Sequence, residues 1–393
     1  MSRDRLFVVA LLVGLVASAC GASITSPSPS PSPSPSPIPS SSPSPSPSPS
    51  SSPIASPSPS PSPFPNPSPS PSLVPAPLTG RYVGPATAAR HPIAVMVDDL
   101  SPARPQSGFS AASVVWHAPA EGGIPRYMLV FQEQVPGNVG PVRSARLYFV
   151  LWAAEWKALY AHVGGSPQAL ARLRTDGRGK LVYDADQFRF GPPYFWRIKT
   201  RYAPHNMYTN GKQLRRIAKA RGAADGPLKP AWRFDWDKPL AERPVGGRIA
   251  VSYLANKIRY DYDRKSNSYL RTVSKEGKQR DADTGERVAP KNVVVMVVRF
   301  GPLSDGSPKN RLEADLIGKG TAWIATNGTT IKGTWRKRSN TDPTRFYDAK
   351  GDPVTLTVGQ TFIQVVPTGT PVSITKGKPA PWVPSPAQLK NED

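Results

Sequence analysis

Three short stretches hold the residues best suited to chemistry. In "GPVRSAR" (residues 140–146), Arg143 and Arg146 stand just ahead of an apolar run that begins at Leu147. A helix N-terminus carries partial positive charge and favours acidic neighbours, so guanidinium groups placed there point to an anion supplied from elsewhere. In "HVGGSPQAL" (162–170), His162 closes an apolar stretch, Gly164 and Gly165 let backbone approach a ligand, and Ser166 with Pro167 opens a helix. In "RYAPHNMYTN" (201–210), His205 and Asn206 precede another helix. A fourth segment, "PAEGGIPRY" (119–127), adds Glu121 and Arg126 around a second glycine pair.

Two readings of these residues stay open. In the first, Arg143 and Arg146 hold a phosphate or carboxylate together with the Gly164-Gly165-Ser166 turn. Arginine suits such a site because its planar fork takes two oxygens at once, and His162, His205 and Asn206 add donors. This reading requires Arg143, Arg146, His162, Ser166 and His205 to line one cleft. In the second, the arginines are structural and pair with Glu121, Asp184 or Asp186. A hydrolase or transferase would need a matched acid and base, and Glu121 with His162 or His205 could supply them. The four histidines, at positions 91, 117, 162 and 205, show no metal-ligand spacing, so no metal site is expected. No cofactor is expected either, and no G-x-S-x-G elbow is present.

The elements that must position these groups are legible from periodicity. "HPIAVMVDD" (91–99), "SVVWHA" (113–118), "RYMLVFQEQ" (126–134) and "LYAHV" (159–163) read as strands. Residues 144–157, 166–173 and 209–220 read as helices, the first with Ala145, Phe149, Trp152 and Trp156 on its buried stripe. Strands alternating with helices predict an α/β-type layered sheet domain over 78–236. Residues 233–247 read as a linker. Beyond them, "KIRYDYDRKSNSYLRTV" (257–273) is a hairpin and "NVVVMVVRF" (292–300) an apolar strand. Asn327-Gly328 marks a tight two-residue turn, and "DAKGDPVTLTVGQTFIQVVP" (348–367) gives a further strand pair. This second domain, 247–375, is expected to be mostly antiparallel β, so that the whole is α+β. A short tail, 376–393, follows.

The first seventy-seven residues carry an address. Arg3 and Arg5 precede an uninterrupted apolar or small-residue stretch that ends in "VASACG" (16–21). The stretch is short for a membrane span and reads as a signal peptide over 1–20. Small residues before Cys20 resemble a lipobox, in which the cysteine becomes the lipidated first residue. Cys20 is the only cysteine in the chain, so no disulfide and no cysteine redox pair is available. Residues 21–77 are a Pro/Ser-rich tether with too few apolar groups for a core. In polyproline II form, at about 3.1 Å per residue, its repetitive part reaches on the order of 140 Å.

Arg3, Asp4 and Arg5 are the only charges in the first seventy-two residues, so nearly all of the net charge of +23 lies beyond them. Such a balance suits anionic polymers or surfaces. Nucleic acid finds little support, because the basic residues are scattered and no stacking aromatics stand in a known module.

From about residue 80 to 367 the chain resembles the YerB-like family of bacterial lipoproteins. The resemblance is carried by "RPQSGFSAASVVWHAPAEGGIPRYMLVFQ", "GPVRSARLYF", "HVGGSPQAL", "APHNMYTN", "DADTGERVAPKNVVVM" and "GDPVTLTVGQTFIQVVP". One departure is that Trp116 and His117 stand where the family more usually has Tyr and Glu. The resemblance implies an envelope lipoprotein and supplies no mechanism. Taken together, the residues lead to an exported protein anchored through Cys20 to the outer face of the cytoplasmic membrane. Its expected partner is an anionic cell-wall polymer or an envelope protein.

Overall fold

The computed structural model describes residues 72–306 and 308–380; the signal peptide, Cys20, most of the tether and the last thirteen residues lie outside the described residues. The first half supplies β1 (Ile93–Asp98), β2 (Val114–Pro119), β3 (Pro125–Phe131), β4 (Leu159–His162) and β5 (Tyr183–Asp186), with helices α1 (Leu147–Ala153), α2 (Pro167–Asp176) and α3 (Gly211–Ala220). The second half supplies β6 (Arg248–Ser252), β7 (Lys257–Asp263), β8 (Ser268–Val273), β9 (Gly277–Lys278), β10 (Asn292–Val298), β11 (Gly318–Thr326), β12 (Thr329–Lys337), β13 (Arg345–Tyr347), β14 (Thr361–Pro367) and β15 (Val372–Thr375).

Strands of both halves share one ten-stranded sheet, in the order β13-β12-β11-β10-β14-β2-β3-β1-β4-β5. The join is β14, which lies parallel to β10 on one side and to β2 on the other. A second, five-stranded antiparallel sheet runs β9-β8-β7-β6-β15. The chain is therefore α+β with a large layered sheet, as its alternating pattern predicts. One face of the large sheet packs under α1 with Trp116, Phe149 and Trp152. The other carries α3 and the smaller sheet through Leu214, Ile217, Val251 and Tyr260.

Most strands fall where periodicity puts them, and the differences have physical causes. Asn327 and Gly328 both have positive φ and join β11 to β12, the geometry that a tight hairpin needs. The two strands expected within 348–367 do not pair with each other. Thr355–Thr357 pairs with Arg233–Asp235, which the sequence reads as linker, while β14 enters the large sheet. β14 is flanked by parallel neighbours on both sides, so its continuous apolar run fits a buried central strand. Helix α1 starts at Leu147 and not at 144, because residues 143–145 are extended and bonded to 163–165. Val163 N–H donates to the Arg143 carbonyl at 3.0 Å, and Ala145 N–H to that of Gly164 at 2.9 Å.

Candidate functional site

The residues singled out by sequence gather at one edge of the large sheet, where the parallel strands β1, β4 and β5 end in Asp98, His162 and Asp186. Ligands of open α/β sheets bind outside such carboxyl ends. Strand alternation sets the faces. Asp98 shares its side of β1 with Ala94 and Met96, under α1, and is the cross-strand partner of Arg126 on β3.

The site has two connected groups of charges. In the first, the buried Asp98 carboxylate stands 2.9 Å from Arg143 Nε and 2.6 Å from His205 Nδ1. The Arg143 Nε–H is not directed at the oxygen, and the guanidinium forms no directed hydrogen bond among the described residues. His205 Nε2 likewise has no partner among them. In the second group, Arg146 donates to Glu121 Oε2 at 2.5 Å and to the Ala145 carbonyl at 2.6 Å. Arg126 donates to the Ser144 carbonyl at 2.9 Å and lies 3.6 Å from the same Glu121 oxygen. Glu121 Oε1 and Arg146 Nε are buried without partners among the described residues.

Charge crowding shows in the titration behaviour. Burial, then the Arg146 and Arg143 cations, pull Arg126 down to about 10, against the pull of Glu121. Burial would raise the Glu121 carboxyl, but the hydrogen bond and charge of Arg146 outweigh it and hold it below its ordinary value. Three guanidinium groups thus face two carboxylates.

The glycine turn behaves differently from the expectation. Gly164, at φ +55°, gives its N–H to Asp186 Oδ1 at 3.0 Å, and Ser166 gives its own to the Ala145 carbonyl at 3.1 Å. Ser166 Oγ accepts from Ala169 N–H, an N-cap of α2. These donors are used in folding the turn and do not form an anion cradle. Gly165 lies against Ala145, where a Cβ would come within 3.1 Å of the alanine methyl. His162 is fully buried, with Nδ1 against the Gly164 carbonyl at 2.7 Å and Nε2 against Asp184 at 2.8 Å. Both partners are acceptors, so both ring nitrogens are committed to holding the loop. Asn206 accepts from Arg197 and donates to the carbonyls of Ile198 and Arg201, shaping the loop before α3. Arg143, Arg126, Arg146, Glu121 and His205 therefore form the charge cluster, while His162, Gly164, Ser166 and Asn206 are used in bracing the loops beside it.

Asp98 is missing from the residues chosen by sequence, although the pair Asp98-Asp99 at the end of an apolar strand was its signal. A second network was also not foreseen. Asp99 points to the opposite face, where it meets His117 Nε2 at 2.8 Å, Arg104 Nε at 3.0 Å and Asn256 Nδ2 at 2.7 Å. Gln364 donates to His117 Nδ1 at 2.9 Å, and the fully buried Arg271 donates to Tyr260 Oη at 2.9 Å and to Gln279. This polar seam ties the smaller sheet to the large one.

Comparison with known proteins agrees with this architecture. Residues 78–224 match the N-terminal domain, and 249–363 the C-terminal domain, of a family described as "Protein of unknown function (DUF3048)". The Bacillus subtilis (strain 168) protein named "Putative lipoprotein YerB" is 32% identical over 307 residues, which cover 77% of this chain and 89% of the relative. The crystal structure of YerB protein from Bacillus subtilis superposes with a TM-score of 0.68 at 29% identity, covering 77% of this chain and 99% of that one. No helix among the described residues is long and apolar enough to cross a membrane. In sequence and in fold, the chain belongs to the DUF3048 family of YerB-like proteins.

Proposed function

We propose that the protein is a lipoprotein held through Cys20 on the outer face of the cytoplasmic membrane, and that it binds an anionic group of the cell wall through Arg143, Arg126 and Arg146. The name of the Bacillus subtilis relative supports the anchor. The observation that carries the binding reading is Arg143, whose guanidinium touches Asp98 without a directed hydrogen bond and whose side chain stays partly open to solvent. With three cations against two carboxylates, the cluster keeps one positive charge in excess. Folding has already neutralised much of it, and Arg146 is largely occupied by Glu121, so Arg143 is the residue that reaches the ligand.

The test is co-sedimentation of the full chain with isolated cell wall. Arg143→Ala is expected to weaken binding roughly tenfold, the scale of one charge-assisted hydrogen bond, with little change in melting temperature. Unfolding without a binding defect would instead make the cluster purely structural.

Hydrolysis of a wall phosphodiester or glycan is the second reading, and one geometric observation favours it. The buried Asp98 orients His205 through Nδ1 and leaves Nε2 without a partner, which is how a general base is held. The pairing expected from sequence does not form. Glu121 is engaged by Arg146 and held ionised, and both nitrogens of His162 are occupied. Release of soluble wall fragments by the full chain, abolished in His205→Ala with binding kept, would establish this reading over the first.

A further inference from the structure

We infer that the arginine site is the charged centre of a longer surface that takes a sugar–phosphate strand, with the rings of Phe188 and Tyr202 as stacking faces at its two edges. The inference rests on the anion-binding reading above. Phe188 is 76% exposed and Tyr202 is 92% exposed. Exposed apolar residues scattered singly need no explanation, but these two stand on segments bonded to the same site. Phe188 lies over Gly164, where a Cβ would come within 3.2 Å of its ring, and Gly164 is bonded to the extended segment that carries Arg143. The Tyr202 carbonyl accepts from the N–H of His205, which in turn contacts Asp98 beside Arg143.

Each ring is followed or preceded by cations. Arg189 and Lys199 are exposed and have no ion-pair partner among the described residues, while Arg197 and Arg201 are used in bracing the loop. An aromatic face takes the apolar C–H face of a sugar ring, and guanidinium or ammonium groups beside it take the intervening charges. A phosphodiester carries one negative charge at every ordinary pH, which matches the single excess charge of the cluster. The same alternation of rings and cations would stack nucleobases; the lipoprotein reading proposed above favours a wall glycan instead.

The test is ligand-observed saturation-transfer NMR with the full chain in detergent micelles. Four probes are compared: glucosyl methyl phosphate, dimethyl phosphate, glucuronate and a short oligothymidylate. Glucosyl methyl phosphate is expected to bind roughly tenfold more tightly than dimethyl phosphate. Phe188→Ala or Tyr202→Ala should each remove several-fold of that advantage with an unchanged melting temperature. Equal binding of the two phosphates would overturn the inference and leave the anion site standing. Failure of both phosphates would overturn the anion site itself. Tighter binding of glucuronate or of the oligonucleotide would overturn the choice of a sugar phosphate.

Discussion

Asp98 and Asp99 are chain neighbours, and each holds a histidine, yet the two pairs do opposite things. Asp98 faces the α1 side and meets His205 and Arg143 at the rim of the sheet, where the cations stay partly open to solvent. Asp99 faces the smaller sheet and meets His117, Arg104 and Asn256, with its own carboxylate and the His117 ring fully enclosed. The closed pair is saturated: Gln364 occupies the remaining His117 nitrogen, Tyr127 stacks on its ring at 4.2 Å, and Arg271 lies over Tyr127. The open pair leaves His205 Nε2 and most of the Arg143 fork unused. Charge that is fully enclosed by partners holds two sheets together, and charge left partly free is available to a ligand.

The largest effect expected from this contrast is on stability. Asp99→Ala leaves His117 buried without its carboxylate and Arg104 with that of Glu276 alone, and should cost about 3–5 kcal/mol, as removing one partner of a buried pair does. Urea unfolding followed by intrinsic fluorescence would measure it, and a loss under about 1 kcal/mol would show the seam to be dispensable.

A pH effect of the next size belongs to the same closed pair. Burial pushes His117 from its ordinary 6.5 down to about 4, against the opposing pull of Asp99. The unfolded chain therefore takes up this proton before the folded one does. Stability is full above about pH 6.5 and falls as the pH drops toward 4, by roughly 2–3 kcal/mol. Asp99 is raised by burial, but the hydrogen bond and charge of His117 and the charge of Arg104 outweigh this and hold it low, so it adds a loss of the same sign below its ordinary 3.8. His117→Gln should flatten the upper part of this profile, which melting curves between pH 7 and 4 would reveal.

The smallest effect is that of Asp98→Asn. Arg143 and His205 each keep some access to solvent, so the stability change should be about 1–2 kcal/mol, below that of Asp99→Ala. If it matched the loss from Asp99→Ala, the division into an open and a closed pair would be wrong.

Several members of the charge cluster are legible in the sequence. Guanidinium groups ahead of an apolar run, a glycine turn closed by Ser-Pro, and His205 before a helix all converge in space, because each lies at the end of an element on one sheet edge. Their partners were not readable. That Arg146 would be met by Glu121, twenty-five residues earlier, and Arg143 by Asp98 depends on strand register. The same holds for His162, which looked like a ligand donor and is a fastening for its own loop. Local pattern shows that a polar group stands at a turn and does not show which carbonyl will reach it.

By itself the sequence determined the elements. Apolar period set the strands, Asn327-Gly328 set a hairpin, Ser166-Pro167 set a helix start, and alternation along 93–99 guaranteed that Asp98 and Asp99 would face opposite ways. Tertiary structure decided what each face would meet. Only the insertion of β14 between β10 and β2 makes one sheet of two halves. Only the docking of the smaller sheet on that surface encloses Asp99 and leaves Asp98 at the rim. The physical reason is that hydrogen-bond periodicity is local, whereas burial and charge partners are fixed by contacts between residues far apart in the chain, which no short stretch encodes alone.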